Sequence, residues 1–102
     1  MSAKGYLIAE AKVVDPQAYE RYKTLAQAAI AEFGGRYLIR GGEIEILEGS
    51  WKTAPRLVVV EFESVEQAKK FYHSPAYQAA REARIGAAEM NMLVVSGIDN
   101  PL

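Results

Sequence analysis

An α+β domain of βαββαβ order, with a four-stranded antiparallel sheet and its helices on one face, is predicted by three features of the sequence. Apolar residues alternate in part with a period of two over Gly5 to Val13, and Arg56 to Glu63 is rich in β-branched residues. Proline stands directly behind a capping side chain at Asp15-Pro16 and Ser74-Pro75. The pair Gly34-Gly35 closes the helix that Asp15 opens, because glycine takes the left-handed C-terminal conformation without steric cost.

The elements follow in order. Gly5 to Val13 (GYLIAEAKV) places Tyr6, Ile8, Glu10 and Lys12 on one face and the wholly apolar Leu7, Ala9, Ala11 and Val13 on the other. Tyr19, Tyr22, Ala26, Ala29, Ile30 and Phe33 recur at helical spacing and form an apolar stripe. Arg36 to Arg40 reads as the second strand, broken by Gly41-Gly42 and resumed over Glu43 to Glu48, so a bulge or sharp bend is expected at the glycines. Gly49 to Pro55, with Trp51, is a loop, and Arg56 to Glu63 (RLVVVEFE) is the clearest strand. Ser64 and Gln67 match a capping box in which Gln67 reaches back to the backbone of Ser64. A short helix then runs through Tyr72, a second from Ser74-Pro75 to about Ile85, and the last strand over Met90 to Gly97, with Asn100-Pro101 as tail. Right-handed crossovers between the two halves put both helical layers on one side of the sheet. No linker or low-complexity stretch divides residues 1–102, which read as one domain.

Composition narrows the function classes. The 102 residues contain no cysteine, which excludes disulfides, thiolate zinc sites and a cysteine nucleophile, and fits a reducing, cytoplasmic setting. With 12 basic and 13 acidic residues the net charge is -1, so a one-signed nucleic-acid face is not expected. No signal peptide pattern opens the chain, and no apolar run approaches the roughly 20 residues of a membrane span. Neither nucleic acid nor membrane is an expected partner. The GxxxxGK phosphate loop and the GxSxG elbow are both absent from the sequence.

The sheet face away from the helices carries Tyr6, Ile8, Glu10, Lys12, Arg36, Leu38, Arg40, Leu57, Val59 and Glu61 on the expected parity. Such a face is too apolar for water and too charged for a dry core. It is expected to meet a second copy face to face, burying more than about 1,000 Å² in total.

Gly5-Tyr6, Asp15-Pro16 with Tyr19 and Tyr22, Gly34-Gly35-Arg36, Arg40-Gly41-Gly42, Leu47-Glu48-Gly49 with Trp51, Val59 to Phe62, and Tyr72 with Ser74-Pro75 and Tyr77 resemble, in order and over nearly the whole chain, the pattern of domain of unknown function 1330. That family is placed in the dimeric α/β-barrel superfamily. The resemblance implies a ferredoxin-like protomer and a sheet-to-sheet homodimer. It implies no activity, since related folds serve as cofactor-independent monooxygenases, haem proteins, muconolactone-isomerase-like enzymes and ligand sensors.

Candidate site residues are Tyr6, Glu10, Arg40, Trp51, Glu61, His73 and Tyr77. His73, the single histidine, could move a proton or bind a metal, against the plainer reading of a surface residue at a helix junction. No neighbouring carboxylate motif completes a metal ligand set, so no metal and no cofactor is expected. Arg40 among Glu10 and Glu61 could hold a carboxylate or phenolate ligand, or the same groups could form an interface ion network. Trp51, His73 and Tyr77 are expected at a pocket rim, with Arg40 or Glu61 deeper. Three functions stay open: a binder of a small polar or aromatic ligand, a cofactor-independent monooxygenase- or isomerase-like enzyme using His73 or a buried glutamate as base, and a dimerisation domain without ligand. A ligand-sized cavity with convergent polar groups separates the first two from the third.

Overall fold

The alternation around Leu7 becomes β1 (Gly5–Val13) in a computed structural model that describes residues 3–51 and 56–99. The expected loop residues 52–55 and the tail at 100–101 lie outside the described residues. After β1 come α1 (Pro16–Glu32), β2 (Arg36–Arg40), β3 (Arg56–Phe62), α2 (Val65–His73), α3 (Pro75–Ala83) and β4 (Ala88–Ser96). The sheet order is β2-β3-β1-β4, with every pairing antiparallel. This is the ferredoxin-like arrangement, with β1 and β3 central and β2 and β4 at the edges.

Side-chain alternation decides what the helices cover. Leu7, Ala9, Ala11, Val60 and Phe62 are buried and face them. From above come Tyr19, Tyr22 and Ile30 of α1, Phe71 of α2, and Tyr77 and Ala80 of α3. Phe71 joins the layers, with its ring centroid 5.1 Å from Phe62 and 4.8 Å from Tyr77. Truncating a buried ring of this kind costs about 3–5 kcal/mol.

Capping fixes the helix ends. Asp15 accepts from the amide of Ala18 at 3.2 Å, and Pro16 occupies the first helical position, where its missing N–H costs nothing. At the other end of α1, Gly34 sits at φ +74° and the amide of Gly35 donates to the carbonyl of Ile30 at 2.8 Å. Ser64 accepts from the amide of Gln67 at 3.0 Å, but the reciprocal half of the expected capping box is not made. The Gln67 side chain donates instead to the carbonyl of Phe33, also at 3.0 Å. A free carbonyl at the end of α1 competes successfully for it, and the contact ties α1 to α2. Ser74 serves two helices at once, donating to Phe71 at 2.7 Å and accepting from the amide of Tyr77 at 3.2 Å.

Three expectations are corrected. Residues 43–48 do not resume a strand: Gly41, at φ +70°, turns the chain away after a last bond from its amide to Leu57. The register of β2 shifts between Tyr37 and Ile39, so Arg40 pairs with Val58 and leaves the uncovered face expected for it. One extra residue in a strand reverses the parity of everything beyond it. Finally, β4 starts at Ala88 rather than Met90, because it pairs with β1 as far as Val13, and α3 stops at Ala83. Among the described residues, no helix is long and apolar enough to cross a membrane.

Candidate functional site

The uncovered sheet face holds three of the expected site residues, and they are engaged with the sheet itself. Glu61 on β3 receives Arg36 from β2 at 3.0 Å and the Tyr6 hydroxyl from β1 at 3.3 Å. Partial burial and the adjacent Glu61 charge push the Tyr6 phenol above its ordinary range. Glu10 accepts from Asn91 of β4 at 2.9 Å. Both carboxylates thus have donors from neighbouring strands, in the form of an ion and hydrogen-bond ladder. Around them Leu38, Ile39, Leu93 and Val95 stay 45–57% exposed.

The largest contrast with that ladder lies on the other side of the sheet, in a cleft of about 360 Å³ between α2, α3 and β4. Its apolar floor comes from Leu7 of β1 and Met90, Met92 and Val94 of β4, which alternate with the outward residues of the same strand. Its polar wall comes from Lys69, Tyr72 and His73, one face of α2 at positions three and four apart, and from Arg81 and Arg84 at the end of α3. Among the described residues, no carboxylate lines it. The cations suit these places, since carbonyls at a helix C-terminus carry partial negative charge. Arg84 also lies over the Tyr22 ring, with Cζ 5.5 Å from the centroid, and its Nε is buried without a hydrogen-bond partner among the described residues.

Behind the floor stands a polar pair within the core. The hydroxyls of Tyr22 and Tyr77 are 2.9 Å apart, and Tyr77 also reaches Met92 Sδ at 3.8 Å. Burial, and then the Tyr77 hydroxyl, push the Tyr22 phenol far above its ordinary value, while Arg84 pulls the other way.

The expected rim residues separate. His73 lines the cleft, exposed, with its ring edge-on to Tyr72 at 5.2 Å between centroids. Tyr77 is 1% exposed and belongs to the core wall rather than a rim. Trp51 is 60% exposed and sits with Ile44, Ile46, Leu47 and Leu57, away from His73. Arg40 stacks over Tyr37 at 4.3 Å on the helix side of the sheet. Tyr6, Glu10 and Glu61 occupy the opposite face. Sequence reading missed Lys69, Arg81 and Arg84. Their signal was helical spacing: Lys69 with Tyr72 and His73, and Arg81 with Arg84, share faces next to an alternating Met-Val strand. Among the described residues, no cluster of three His, Asp or Glu side chains could hold a metal ion.

With this geometry in view, comparison with known proteins identifies the family. The model of domain of unknown function DUF1330 matches residues 4–98. The chain belongs to that family. No curated protein matches it. A protein of unknown function from Rhodopseudomonas palustris is similar over 98% of this chain and 86% of its own, at 17% identity and a TM-score of 0.72. SnoaB, a cofactor-independent oxygenase from Streptomyces nogalater, is similar over 97% of each chain, at 11% identity and a TM-score of 0.69. A dimeric protein of unknown function with a ferredoxin-like fold from Bacteroides fragilis covers 91% of this chain and 95% of its own, at 12% identity and a TM-score of 0.62. At these identities the DUF1330 chain shares their fold, and the likeness carries no further.

Proposed function

We propose that this DUF1330 protein binds a small organic anion with an apolar or aromatic body in the cleft between α2, α3 and β4. The carrying observation is Arg84 in the cleft wall: among the described residues its buried Nε has no partner and no carboxylate lines the cleft. A buried donor without an acceptor costs about 1–3 kcal/mol, which an arriving carboxylate or phenolate would recover. Cation–π contact with Tyr22 satisfies none of the guanidinium N–H groups and leaves them for a ligand. Lys69 and Arg81 add attraction at the mouth, and Met90, Met92 and Val94 offer an apolar floor. The volume, about 360 Å³, lies in the range of small-molecule sites. Calorimetric titration with benzoate and with neutral benzamide tests this. Benzoate should bind the tighter of the two, and Arg84→Gln should weaken it by about tenfold or more. Equal binding of the two probes, or an unchanged Arg84→Gln, would refute the assignment.

A second reading, a cofactor-independent enzyme, rests on His73 lining the same cleft. There His73 would take the proton of a phenol and become imidazolium, and Arg84 would hold the phenolate. Among the described residues no hydrogen bond orients the His73 ring, which favours binding over catalysis. The enzyme reading requires His73→Ala to retain affinity for 4-nitrophenol while losing turnover of phenolic substrates. Loss of both together would remove it.

Two copies of the chain are proposed to associate through the uncovered sheet face. Leu38, Ile39, Leu93 and Val95 are exposed there beside the half-buried Ile8, Leu57 and Val59. Glu10 and Glu61 among them already have donors within the sheet, so covering the face strands neither of these two carboxylates. The Bacteroides fragilis protein of similar fold is dimeric. Sedimentation should give a dimer at micromolar concentration, and Leu93→Lys should give a monomer.

A further inference from the structure

A second recess, mainly apolar but with Arg40 and Arg56 in its lining, lies between α1 and the β2–β3 half of the sheet, sharing only Leu7, Met90 and Met92 with the cleft described above. Two tyrosines and two arginines form its outer part. Arg40 lies over the Tyr37 ring at 4.3 Å, and Arg56 over the Tyr19 ring at 5.9 Å. The β2 register shift brings Arg40 to this side, and alternation along β3 brings Arg56, two residues before Val58. Gly41 shapes the seat: a Cβ there would overlap the Arg56 Nη1, so the guanidinium lies directly against the glycine backbone.

We infer that this recess binds an oxyanion, a carboxylate or phosphate group, between Arg40 and Arg56. Cation–π contact holds each guanidinium over its ring, but it satisfies none of the N–H donors that the group carries. Arg56 Nε is buried and has no partner among the described residues. Among the described residues neither arginine has a carboxylate within salt-bridge distance, and no acidic side chain lines the recess. Lys23, a third cation on its wall, is already paired with Glu20 at 2.8 Å. Two guanidinium groups lining one recess, without an acid, repel each other, and an anion between them reverses that sign. The space is about 40 Å³, enough for a single polar group and too small for a whole drug-sized ligand.

Amide and arginine side-chain NMR spectra of the full chain, titrated separately with inorganic phosphate and with benzoate, test this assignment. Saturable shifts are expected at Gly41, Arg56 and the Arg56 Nε–H. Arg56→Gln should weaken them by about tenfold or more, and Arg40→Gln, at an exposed position, by a similar factor. Arg84→Gln should leave them unchanged, which separates this site from the cleft. The probe with the tighter saturation identifies the group as phosphate or carboxylate. Shifts confined to the α2–α3 cleft, no saturable shift, or equal saturation in wild type and Arg40→Gln would overturn the inference.

Discussion

The hydroxyls of Tyr22 and Tyr77, 55 residues apart in the chain, meet at 2.9 Å in the middle of the hydrophobic core. One comes from α1 and the other from α3, so the bond fixes the two helices over the sheet. Beyond each other, the one further contact of these hydroxyls among the described residues is from Tyr77 to Met92 Sδ, a weak acceptor, at 3.8 Å. Tyr77→Phe should therefore leave the Tyr22 hydroxyl without its partner and cost about 1–3 kcal/mol. Tyr22→Phe combined with Tyr77→Phe should cost less than the sum of the single changes, because nothing is then left unpaired. Urea unfolding of the four proteins in this cycle measures the coupling, and strict additivity would contradict it.

The same pair gives the protein an alkaline limit. Burial raises the Tyr22 phenol above its ordinary value of 10.0, and burial raises that of Tyr37 as well, partly offset by Arg40. The unfolded chain loses these protons first. Stability from them is therefore fully present below about pH 10 and is lost as the pH climbs past it. Denaturant midpoints should hold near pH 8 and fall near pH 11, with a smaller fall in Tyr22→Phe. A midpoint that drops equally in both proteins would place the effect elsewhere.

Much of the fold was legible because its cues are local. Asp15-Pro16 and Ser74-Pro75 start helices by chemistry that needs no tertiary context, and β1 shows its buried face in its own alternation. What could not be read depends on neighbours. The register shift at Tyr37 and Ile39 has no glycine to announce it, and that one residue moved Arg40 across the sheet. The Glu43 to Glu48 segment has a strand's alternation but lies outside every ladder. Glu10 and Glu61 were legible as charges on the sheet face away from the helices. Their donors, Asn91 and Arg36, come from strands whose register alone decides the meeting. Arg84 was hidden for a different reason, since its lack of a partner is a property of packing.

The start of α2 and the end of α1 make a sharper comparison of caps. Ser64→Ala removes the acceptor for the Gln67 amide and should cost about 1 kcal/mol. Gln67→Ala leaves that cap intact but frees the Phe33 carbonyl, for about 0.5–1.5 kcal/mol. Hydrogen exchange tells the two apart. Ser64→Ala should speed exchange in the first turn of α2, whereas Gln67→Ala should speed it at the end of α1, around Gly34 and Gly35. Faster exchange at the α2 start alone in both variants would show that the link between the helices carries no stability.

Glu61 allows the proposed sheet-face dimer to be tested by energy as well as by size. In the single chain its bond to Arg36 is an exposed one, with the Arg36 side chain 71% accessible, and such pairs contribute about 0.2–1 kcal/mol. Covered by a second copy, the same group would lose its water, and breaking the pair would then cost about 3–5 kcal/mol. The Tyr6 hydroxyl, which also donates to Glu61, would be stranded with it. Glu61→Gln keeps the shape and removes the charge, so it changes little except these bonds. In the wild-type background it should therefore weaken the dimer strongly. In the Leu93→Lys background, where the chain is expected to be monomeric, it should cost no more than an exposed pair. Denaturant unfolding at matched protein concentration reads both numbers. Equal costs in the two backgrounds would show that the face bearing Glu61 and Leu93 is not where the second copy sits.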